Sequence, residues 1–514
     1  MKTVTPDYLV MVKTSEITFQ KKIIEPFLNS IQEFSDKNAF CINGEFFTYK
    51  HLEASISKIR FQLIDNKDDI IGLIANDDLE TYASIFALWL DGKAYIPLNP
   101  TAPVERNQTI IEQADIKTVL DSSDDLQLFK NAKTVSTKNL KSVGLNYQNI
   151  LSKEISDQKI AYILFTSGST GVPKGVPITR ENLAYFVNAY SDFGYKITEN
   201  DRCLQPFEMT FDVSVASYLL PLISGACVYT VPRNVIKYMF IAEILEEQEI
   251  TVTHLASSVI KYLRPYFEEI YLPKLKYCVL TAEAVLYDVT REWSERCPNA
   301  VIDDLYGPTE DTIYCTQYRF VRNGENKHRN GVLSIGKSLT SGKVIILDEN
   351  GKECLPNVQG ELCLAGKQLM QGYWKNPEKS AEVFFERDGE RFYRTGDICF
   401  ADESGDIMYC GRLDSQVKIQ GYRIELGEIE YHCKAFLKEI NAITIPFNNV
   451  VSNTEIALFI ETNEQNIVID ELKEYLYSKI PAYMVPTKYY FVPKFPLNSS
   501  DKIDKVKLKG VIKE

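Results

Sequence analysis

The feature of this sequence that most constrains its fold is an alternation of short apolar runs with helix-length periodic segments between about residues 30 and 310. Residues 70–75 and 94–97 are strand-like, and residues 80–90 between them repeat apolar positions with helical spacing. The same pattern recurs at residues 227–231, 241–249, 251–255, 275–280, 288–297 and 300–304. Because strands that alternate with helices usually pair in parallel, the sequence predicts an α/β fold with layered, largely parallel sheets.

The pattern changes after about residue 332. Residues 343–347 and 361–364 are strand-like, and turn clusters such as residues 348–351 separate the strands in this part of the chain. Short strands joined by turns are typical of antiparallel pairing. We therefore predict a β-rich subdomain over residues 332–410.

The C-terminal part of the chain has a composition of its own. Apolar periodicity predicts helices at residues 427–440 and 469–480, and several strand-like runs accompany them. This combination is typical of a small α+β domain. We predict a large N-terminal domain, residues 1–411, and a small C-terminal domain, residues 412–514.

Charge and cysteine usage argue against several classes of protein. A net charge of −13 argues against a general binder of nucleic acid or of membrane surfaces. The 11 cysteines include no Cys-x-x-Cys pair, which argues against a zinc site or a disulfide framework and favours a reducing compartment. Residues 1–19 lack the apolar core of a signal peptide, and no apolar run approaches the ~20 residues that span a bilayer. We expect a cytoplasmic protein without membrane insertion.

One loop carries the strongest chemical signal. The strand-like residues 160–165 lead into a loop of Thr, Ser and Gly at residues 166–171, and Lys174 follows. Small residues and hydroxyls offer N–H and O–H donors to an anion, although most loops of this composition are only loops. The loop differs from the phosphate loop of NTPases because Gly175, not Ser or Thr, follows the lysine. The usual magnesium ligand is therefore missing, and a metal must be held from elsewhere.

The sequence from Ile160 to Pro177 resembles the phosphate-binding signature of the AMP-forming adenylating enzymes, which include acyl-CoA synthetases, luciferases and the adenylation domains of peptide synthetases. Six further segments resemble motifs of this family in the family's order, so the resemblance extends over nearly the whole chain. These segments are residues 88–98, 303–310, 360–374, 393–397, 411–425 and 497–505. We interpret residues 88–98 and 360–374 as structural.

The resemblance implies a nucleotide site. It assigns the β- and γ-phosphates to Thr166, Ser167, Gly168, Ser169, Thr170, Gly171 and Lys174. The Tyr306 ring offers a face to a purine, and Asp304, where the family usually has Asn, offers an acceptor to its exocyclic amine. Asp397 would accept the ribose hydroxyls, and Arg412 would contact the nucleotide. In isolation, Asp397 would be interpreted as a turn residue.

The resemblance also implies the catalytic groups. Glu310 offers the hard oxygen ligand that Mg²⁺ prefers, and Thr309 and Glu310 are assigned to catalysis. Without the loop at 166–171, this segment would be interpreted as a turn followed by an acidic helix cap. Lys502 would bridge the substrate carboxylate and the α-phosphate of ATP, although Asp501 replaces the glycine usual beside it. The small domain is expected to be mobile about a hinge at Asp414 and to present the loop around Gly421 to a thiol.

Asp212 indicates the class of acid. In the adenylation domains of peptide synthetases the matching aspartate pairs with the α-ammonium of an amino acid. The alternative is an N-cap on a helix at residues 212–220. The resemblance assigns the substrate pocket to Asp212, Val213, Ala216, His254, Val279, Thr281, Leu305, Ile313, Tyr314 and Lys502. This set resembles pockets for small polar amino acids, with serine first and glycine, cysteine or alanine next, although Ala216 replaces the aromatic residue common in serine pockets.

The chain is similar in size and in residues 480–486 to D-alanine:carrier-protein ligases. The resemblance therefore implies a free-standing enzyme that uses ATP and Mg²⁺ and loads a separate carrier protein through its phosphopantetheine thiol. Two alternatives stay open. An acyl- or aryl-CoA synthetase would generally lack Asp212, and a non-catalytic nucleotide-binding subunit of a synthetase assembly would not need every polar position to be filled.

Overall fold

The computed structural model of the protein describes residues 17–140, 155–168, 171–233, 235–340, 342–438, 440–449, 453–462, 468–497 and 503–512. Over these residues the chain forms two large sheets, an antiparallel sheet and a C-terminal unit of helices and short sheets. The predicted α/β class with layered sheets is confirmed.

The larger sheet has nine strands within the described residues. Its central strands are parallel, as expected for strands joined by helices, and antiparallel strands lie at both edges. In spatial order the strands are Lys337–Ser338, Thr316–Arg319, Val301–Tyr306, Tyr277–Thr281, Val252–Ala256, Arg202–Gln205, Cys227–Thr230, Asn38–Ile42 and Glu45–Thr48.

The second large sheet has six strands in the same described part of the chain. Its strands are parallel except at one edge, where the last two form a hairpin. In spatial order they are Lys133–Ser136, Thr118–Asp121, Ile70–Ile74, Ala94–Leu98, Ile160–Thr166 and Lys174–Thr179. The first strand of this hairpin ends at Thr166 and the second begins at Lys174, so the predicted loop at residues 166–171 follows directly on a paired strand.

Two helices lie in the core that the large sheets share. Leu79–Leu90 and Asp212–Leu222 are apolar on nearly all sides, as expected for helices that contact protein all round. The Trp89 indole donates to the Ala161 carbonyl of the six-stranded sheet at 2.9 Å. The Tyr218 and Tyr95 hydroxyls pair at 3.0 Å and join the second helix to the same sheet. This packing holds the first residue of that helix, Asp212, inside the molecule.

The remaining helices cover the sheets or belong to the C-terminal unit. The α-helices are Glu25–Glu33, Tyr49–Gln62, Leu79–Leu90, Val104–Ala114, Arg180–Ser191, Asp212–Leu222, Lys237–Glu247, Ser257–Leu263, Tyr287–Arg296, Pro377–Val383, Leu426–Leu437, Ile469–Tyr477 and Lys505–Lys509. Short turns of other helix types are Gln20–Ile24, Arg264–Glu269, Thr309–Asp311 and Ala482–Met484. None of the helices in the described ranges is both long and apolar enough to cross a membrane.

The predicted β-rich region is an antiparallel sheet. Its strands are Gly342–Leu347, Gly360–Gly366, Phe384–Arg387, Glu390–Ala401 and Ile407–Arg412, and a two-strand ladder of His328–Arg329 and Val332–Leu333 lies nearby. The last strand of the sheet ends at Arg412 and pairs it with Asp397. This end lies one residue past the predicted domain boundary, and the boundary and the hinge at Asp414 stay predictions.

The C-terminal unit is α+β as predicted. The hairpin Gln416–Ile419 and Tyr422–Glu425 comes first, and the sheet Ala442–Asn448, Thr454–Glu461 and Lys488–Val492 follows. The helices Leu426–Leu437 and Ile469–Tyr477 pack with them around a separate apolar core that includes Ile424, Leu458 and Leu476.

Some helix ends differ from the predictions. The predicted helix 427–440 ends at Leu437 because Lys438 has a φ of 57°, outside the helical region. The predicted helix 469–480 ends at Tyr477. Its last predicted residue, Ile480, precedes Pro481, and a residue before proline disfavours helical angles. The predicted helix 241–249 begins four residues earlier, at Lys237.

Candidate functional site

The Thr/Ser/Gly loop connects the two strands of a hairpin. Thr166 pairs with Lys174 across the strands, and the Gly171 N–H donates to the Gly168 carbonyl at 2.9 Å. A β-carbon on Gly168 would come within 2.1 Å of the Val172 carbonyl oxygen, so only glycine fits there. Ser169 and Thr170 lie outside the described residues. The fold therefore brings Ser167, Gly168 and Lys174 to one edge of the six-stranded sheet.

The predicted ribose and adenine residues lie together. The Tyr306 hydroxyl donates to one oxygen of Asp397, and Arg412 Nη1 donates to the other at 2.8 Å. Arg412 also makes two bonds of 2.7 Å with Asp414. Asp397 is held between two donors on different strands, so its carboxylate is oriented before any ligand arrives.

Asp304 lies beside this group in the larger sheet. Its side chain is buried, and burial raises the pKa of its carboxyl well above the usual value, partly offset by Lys418. A carboxyl group that is neutral both donates and accepts, as the amide of the asparagine usual at this position does. Lys418 lies over the Tyr306 ring, 5.6 Å from its centroid.

Glu310 has both carboxylate oxygens engaged. The Tyr373 hydroxyl donates to Oε1 at 2.8 Å, and Arg423 Nη1 donates to Oε2 at 2.8 Å. Glu310 is fully buried, which by itself would raise its pKa, but Arg423 and Lys174 outweigh burial and lower the pKa to about 2. A buried carboxylate kept ionised in this way requires a cation beside it. Glu310 therefore suits the Mg²⁺ that the resemblance implies. In this structure the Arg423 guanidinium lies where a cation would balance the Glu310 carboxylate.

The C-terminal unit covers the phosphate loop with carboxylates. The Ser167 hydroxyl donates to the Arg423 carbonyl at 2.9 Å, and Lys174 Nζ lies 3.5 Å from Glu425 Oε1. The Gly168 N–H donates to Glu428 Oε2 at 3.3 Å. The other oxygen of Glu428 pairs with Arg106, and the Tyr431 ring covers Gly171. The donors that would face phosphate oxygens therefore face protein oxygens.

Asp212 lines a small cavity. It is the first residue of its helix rather than the N-cap, which is Phe211, so the N-cap alternative is wrong. Burial raises the pKa of Asp212 to about 6, against the lowering effects of a hydrogen bond with the Thr309 side chain and one with the Val213 backbone. The cavity has a volume of about 60 Å³. Asp212, Val213, Thr281 and Thr309 line it, and so do Tyr306, Asp397, Arg412 and Lys418.

The other predicted pocket residues lie deeper. Val213, Ala216, Val279, Leu305, Ile313 and Tyr314 belong to one buried apolar cluster. His254 lies opposite Val279 on adjacent strands, and Thr281 lies opposite Leu305. Among these residues only Val213, Thr281 and Asp212 reach the 60 Å³ cavity. The ring of Tyr314 is fully buried and belongs to this apolar cluster.

A larger cavity of about 640 Å³ lies between the two parts of the chain. Asp304, Tyr306 and Arg412 line it near the nucleotide residues. Its other lining residues include Ser258 of the larger part and Asn448 of the C-terminal unit. A passage therefore leads from the nucleotide residues along the interface of the two parts.

Sequence reasoning did not single out several residues of this site. Lys418, Arg423 and Glu425 lie within the 411–425 segment that resembles the family motif, so that motif could have identified them. Tyr373 lies in a segment interpreted as structural, and no local signal links it to Glu310. Lys502, assigned to catalysis from the resemblance, lies outside the described residues.

Comparisons with known proteins identify the family of this chain. The AMP-binding enzyme family matches residues 27–374. Zwittermicin A synthase ZmaJ of Bacillus cereus is 31% identical over 490 residues, with 91% of each chain covered. Tyrocidine synthase 1 of Brevibacillus parabrevis is 28% identical over 499 residues, and the match covers 94% of this chain but 44% of that protein. The chain thus spans less than half the length of several curated relatives that it matches.

A solved structure supports the fold. The Vibrio cholerae adenylation domain AlmE, crystallised with glycyl-adenosine-5′-phosphate, superimposes with a TM-score of 0.84 at 24% identity, and 99% of each chain is covered. At this identity the likeness concerns the fold. The matched family covers more than half of the residues, and ZmaJ is matched over nearly its whole length. The chain therefore belongs to the AMP-binding enzyme family, whose adenylation domains are AMP-forming ligases.

Proposed function

We propose that this protein activates a small polar amino acid with ATP, with serine as the first candidate, and transfers it to the phosphopantetheine thiol of a separate carrier protein. The observation that carries the proposal is the buried carboxylate of Asp212, which lines a small cavity beside the nucleotide residues. Lys418 lines the same cavity and lowers the pKa of Asp212, but within the described residues no basic side chain forms an ion pair with Asp212. A buried carboxylate without a cation is costly, and the α-ammonium of an amino acid would supply one.

The size of the cavity supports a small substrate. A volume of about 60 Å³, at roughly 10–15 Å³ for each water-sized group, holds about four to six non-hydrogen atoms. Glycine has five such atoms, alanine six and serine seven, so the volume favours the smallest amino acids. Thr281 offers a hydroxyl at the cavity wall, which favours a polar side chain.

The nucleotide would lie against the group formed by Tyr306, Asp397 and Arg412. In the first step an oxygen of the amino-acid carboxylate attacks the α-phosphorus, and the bond to the bridging oxygen breaks, so that pyrophosphate leaves with the electron pair. Two anions approach each other in this step, and the positive charges of Arg412 and Lys502 would offset their repulsion. Mg²⁺, when bound at Glu310, would neutralise charge on the departing phosphates.

The arrangement of the C-terminal unit suits the second step. The Gly421 N–H donates to Glu283 at 2.9 Å, and the loop packs close to Ala256 and Ala282. Glu425 and Glu428 contact the Lys174 and Gly168 donors that a triphosphate would need, whereas the 640 Å³ cavity lies between the two parts of the chain. A thiol on a long flexible arm would enter through this cavity. Its sulfur would attack the acyl carbon, and AMP would leave as its own oxyanion while the thiol proton passes to solvent.

Pyrophosphate exchange into ATP tests the proposal. We would measure exchange with both enantiomers of serine, alanine and cysteine, then with glycine, threonine, bulky amino acids, benzoate and a fatty acid, in the wild type and in Asp212→Ala and Lys502→Ala variants. Exchange with one small amino acid that either substitution abolishes would support the proposal. Exchange confined to acids without an α-amine would overturn the role of Asp212 and indicate a CoA ligase. Tight ATP binding without exchange with any acid would indicate a non-catalytic subunit.

A further inference from the structure

One segment of the antiparallel sheet supports Glu310 from a distant part of the chain. This segment, residues 367–373, follows the strand Gly360–Gly366. The Met370 N–H donates to the Glu310 backbone carbonyl at 2.9 Å, and the Tyr373 hydroxyl donates to the Glu310 carboxylate at 2.8 Å. The segment therefore holds both the backbone and the side chain of the residue assigned to Mg²⁺.

The turn that follows Glu310 has an unfavourable backbone. Thr312 has a φ of 51° and Ile313 a φ of 75°, so two consecutive β-branched residues lie in the left-handed region. Residues of this type adopt that region only where the surrounding structure holds them there. The turn also packs closely on the chain before it, because a β-carbon on Gly307 would come within 2.3 Å of the Ile313 carbonyl oxygen. The position of Glu310 therefore depends on contacts that fix this turn.

Gln368 supplies such contacts. Its side chain is buried, and its amide nitrogen donates to the backbone carbonyls of Tyr314 at 2.7 Å, Asp311 at 3.3 Å and Thr312 at 3.4 Å. An amide has two N–H donors, so the bond to Tyr314 uses one and the two longer bonds share the other. The Thr312 hydroxyl donates in return to the Gln368 backbone carbonyl. A single side chain thus joins the residues before and after the left-handed pair.

The backbone on both sides of Gln368 is itself held by a neighbouring helix. Asn182, near the start of the helix Arg180–Ser191, donates through Nδ2 to the Lys367 carbonyl at 2.8 Å and to the Leu369 carbonyl at 3.2 Å. These carbonyls flank Gln368, so its side chain starts from a fixed backbone. The amide is therefore positioned on the turn before any metal arrives.

We propose that Gln368 is a positioning residue for the adenylation step, because it fixes the left-handed turn at Thr312 and Ile313 and thereby sets where the Glu310 carboxylate meets Mg²⁺. This inference rests on the proposed function and deepens it, since it assigns the placement of the metal ligand to a residue in a different segment of the chain.

Gln205 provides a matched control of the same residue type. Its side chain is buried, its Nε2 donates to the Phe207 carbonyl at 2.6 Å, and its Oε1 accepts from the Phe207 N–H at 3.0 Å. Methionine has about the length of glutamine but lacks these hydrogen-bonding groups. Gln368→Met and Gln205→Met therefore remove the same kind of contact at two places, and the bonds lost in Gln205→Met do not involve the turn after Glu310.

The experiment measures how pyrophosphate exchange depends on Mg²⁺ concentration at saturating ATP and amino acid. Thermal unfolding with ATP, in Mg²⁺ or in EDTA, gives a second measurement that needs no turnover. We expect Gln368→Met to raise the Mg²⁺ concentration for half-maximal exchange by roughly tenfold, with kcat largely restored at high Mg²⁺. This variant should also lose most of the rise in unfolding midpoint that Mg²⁺ adds to that of ATP. Gln205→Met should keep the wild-type Mg²⁺ requirement.

A second variant weakens the same contact from the other side. Thr312→Val keeps the shape of the side chain but removes the hydroxyl that donates to Gln368. It should raise the Mg²⁺ requirement in the same direction and by less than Gln368→Met. If Gln368→Met does not fold, Thr312→Val decides the question, and an unchanged Mg²⁺ requirement in that variant would overturn the inference.

The outcomes separate this inference from the proposed function. If the wild type exchanges no small amino acid, the proposed function fails and the inference fails with it. If wild-type exchange requires Mg²⁺ but Gln368→Met and Gln205→Met have the same Mg²⁺ requirement, the inference alone is overturned. A loss of exchange in Gln368→Met that high Mg²⁺ does not reverse would assign Gln368 to stability only and would also overturn it.

Discussion

The ionisation of Asp212 predicts how amino-acid activation depends on pH. Burial raises the pKa of this carboxyl to about 6 in the protein without substrate. An α-ammonium pairs with the ionised form, which is about 90% populated at pH 7 and about 10% at pH 5 by the titration of a single site. The kcat/KM for the amino acid, which reports the free enzyme, should therefore fall about tenfold from pH 7 to pH 5.

The neighbouring charged groups do not obscure the pH dependence that the ionisation of Asp212 predicts. Glu310 and Lys418 are the charged groups that act on Asp212 besides its hydrogen-bond partners. Glu310 has a pKa of about 2, and His254 in the pocket wall has a pKa of about 3, so neither changes charge between pH 5 and pH 7. Burial lowers the pKa of Lys418. Because Lys418 lies over the Tyr306 ring, which is assigned to the purine, a change in its charge should alter KM for ATP.

Pyrophosphate exchange at half-unit steps from pH 5 to pH 8 measures the effect, with the amino acid and ATP varied separately. Asp212→Asn keeps the size of the side chain and its contact with Thr309 but cannot ionise, so its kcat/KM should be low and should not change over this range. A wild-type profile that is flat between pH 5 and pH 7 would refute the reasoning. The same slope in Asp212→Asn would assign the dependence to another group.

Three further perturbations test other parts of the site. Asp304→Asn should raise the midpoint of thermal unfolding more at pH 8 than at pH 5. A carboxyl whose pKa is raised in the folded state lowers the free energy of unfolding as pH rises through that pKa, whereas asparagine does not ionise. An equal shift at both pH values would contradict this. Glu428→Gln leaves Arg106 without its buried partner, and thioester formation should fall roughly tenfold while pyrophosphate exchange is retained; parallel losses would refute it. EDTA should reduce exchange by roughly 100-fold or more, with recovery on added Mg²⁺, if Glu310 holds the metal, and exchange that persists in EDTA would exclude that role.

Local signals in the sequence were sufficient for much of the architecture. The strands Ile70–Ile74 and Ala94–Leu98 and the helix Leu79–Leu90 lie close to their predicted bounds because apolar periodicity reports which side of an element is buried. The predicted turn at residues 348–351 separates two strands of the antiparallel sheet. Helix ends were less well predicted, since a single left-handed residue such as Lys438 ends a helix without changing the apolar pattern.

The sequence by itself determined which kinds of groups the site contains. The resemblance named Asp212, Glu310, Asp397 and Arg412, and the fold places Arg412 2.8 Å from Asp397 because their strands are paired. Short motifs reveal such residues because each motif is a continuous run whose composition departs from that of an ordinary loop.

Only the tertiary structure decided which groups meet across the chain. Arg423 reaches Glu310, and Tyr190 reaches His254, from segments separated by 113 and 64 positions. No local periodicity records these contacts, because they depend on how the C-terminal unit docks and how helices pack on the sheets. The size of the cavity beside Asp212 has the same origin, because it is the space left after the surrounding side chains have packed.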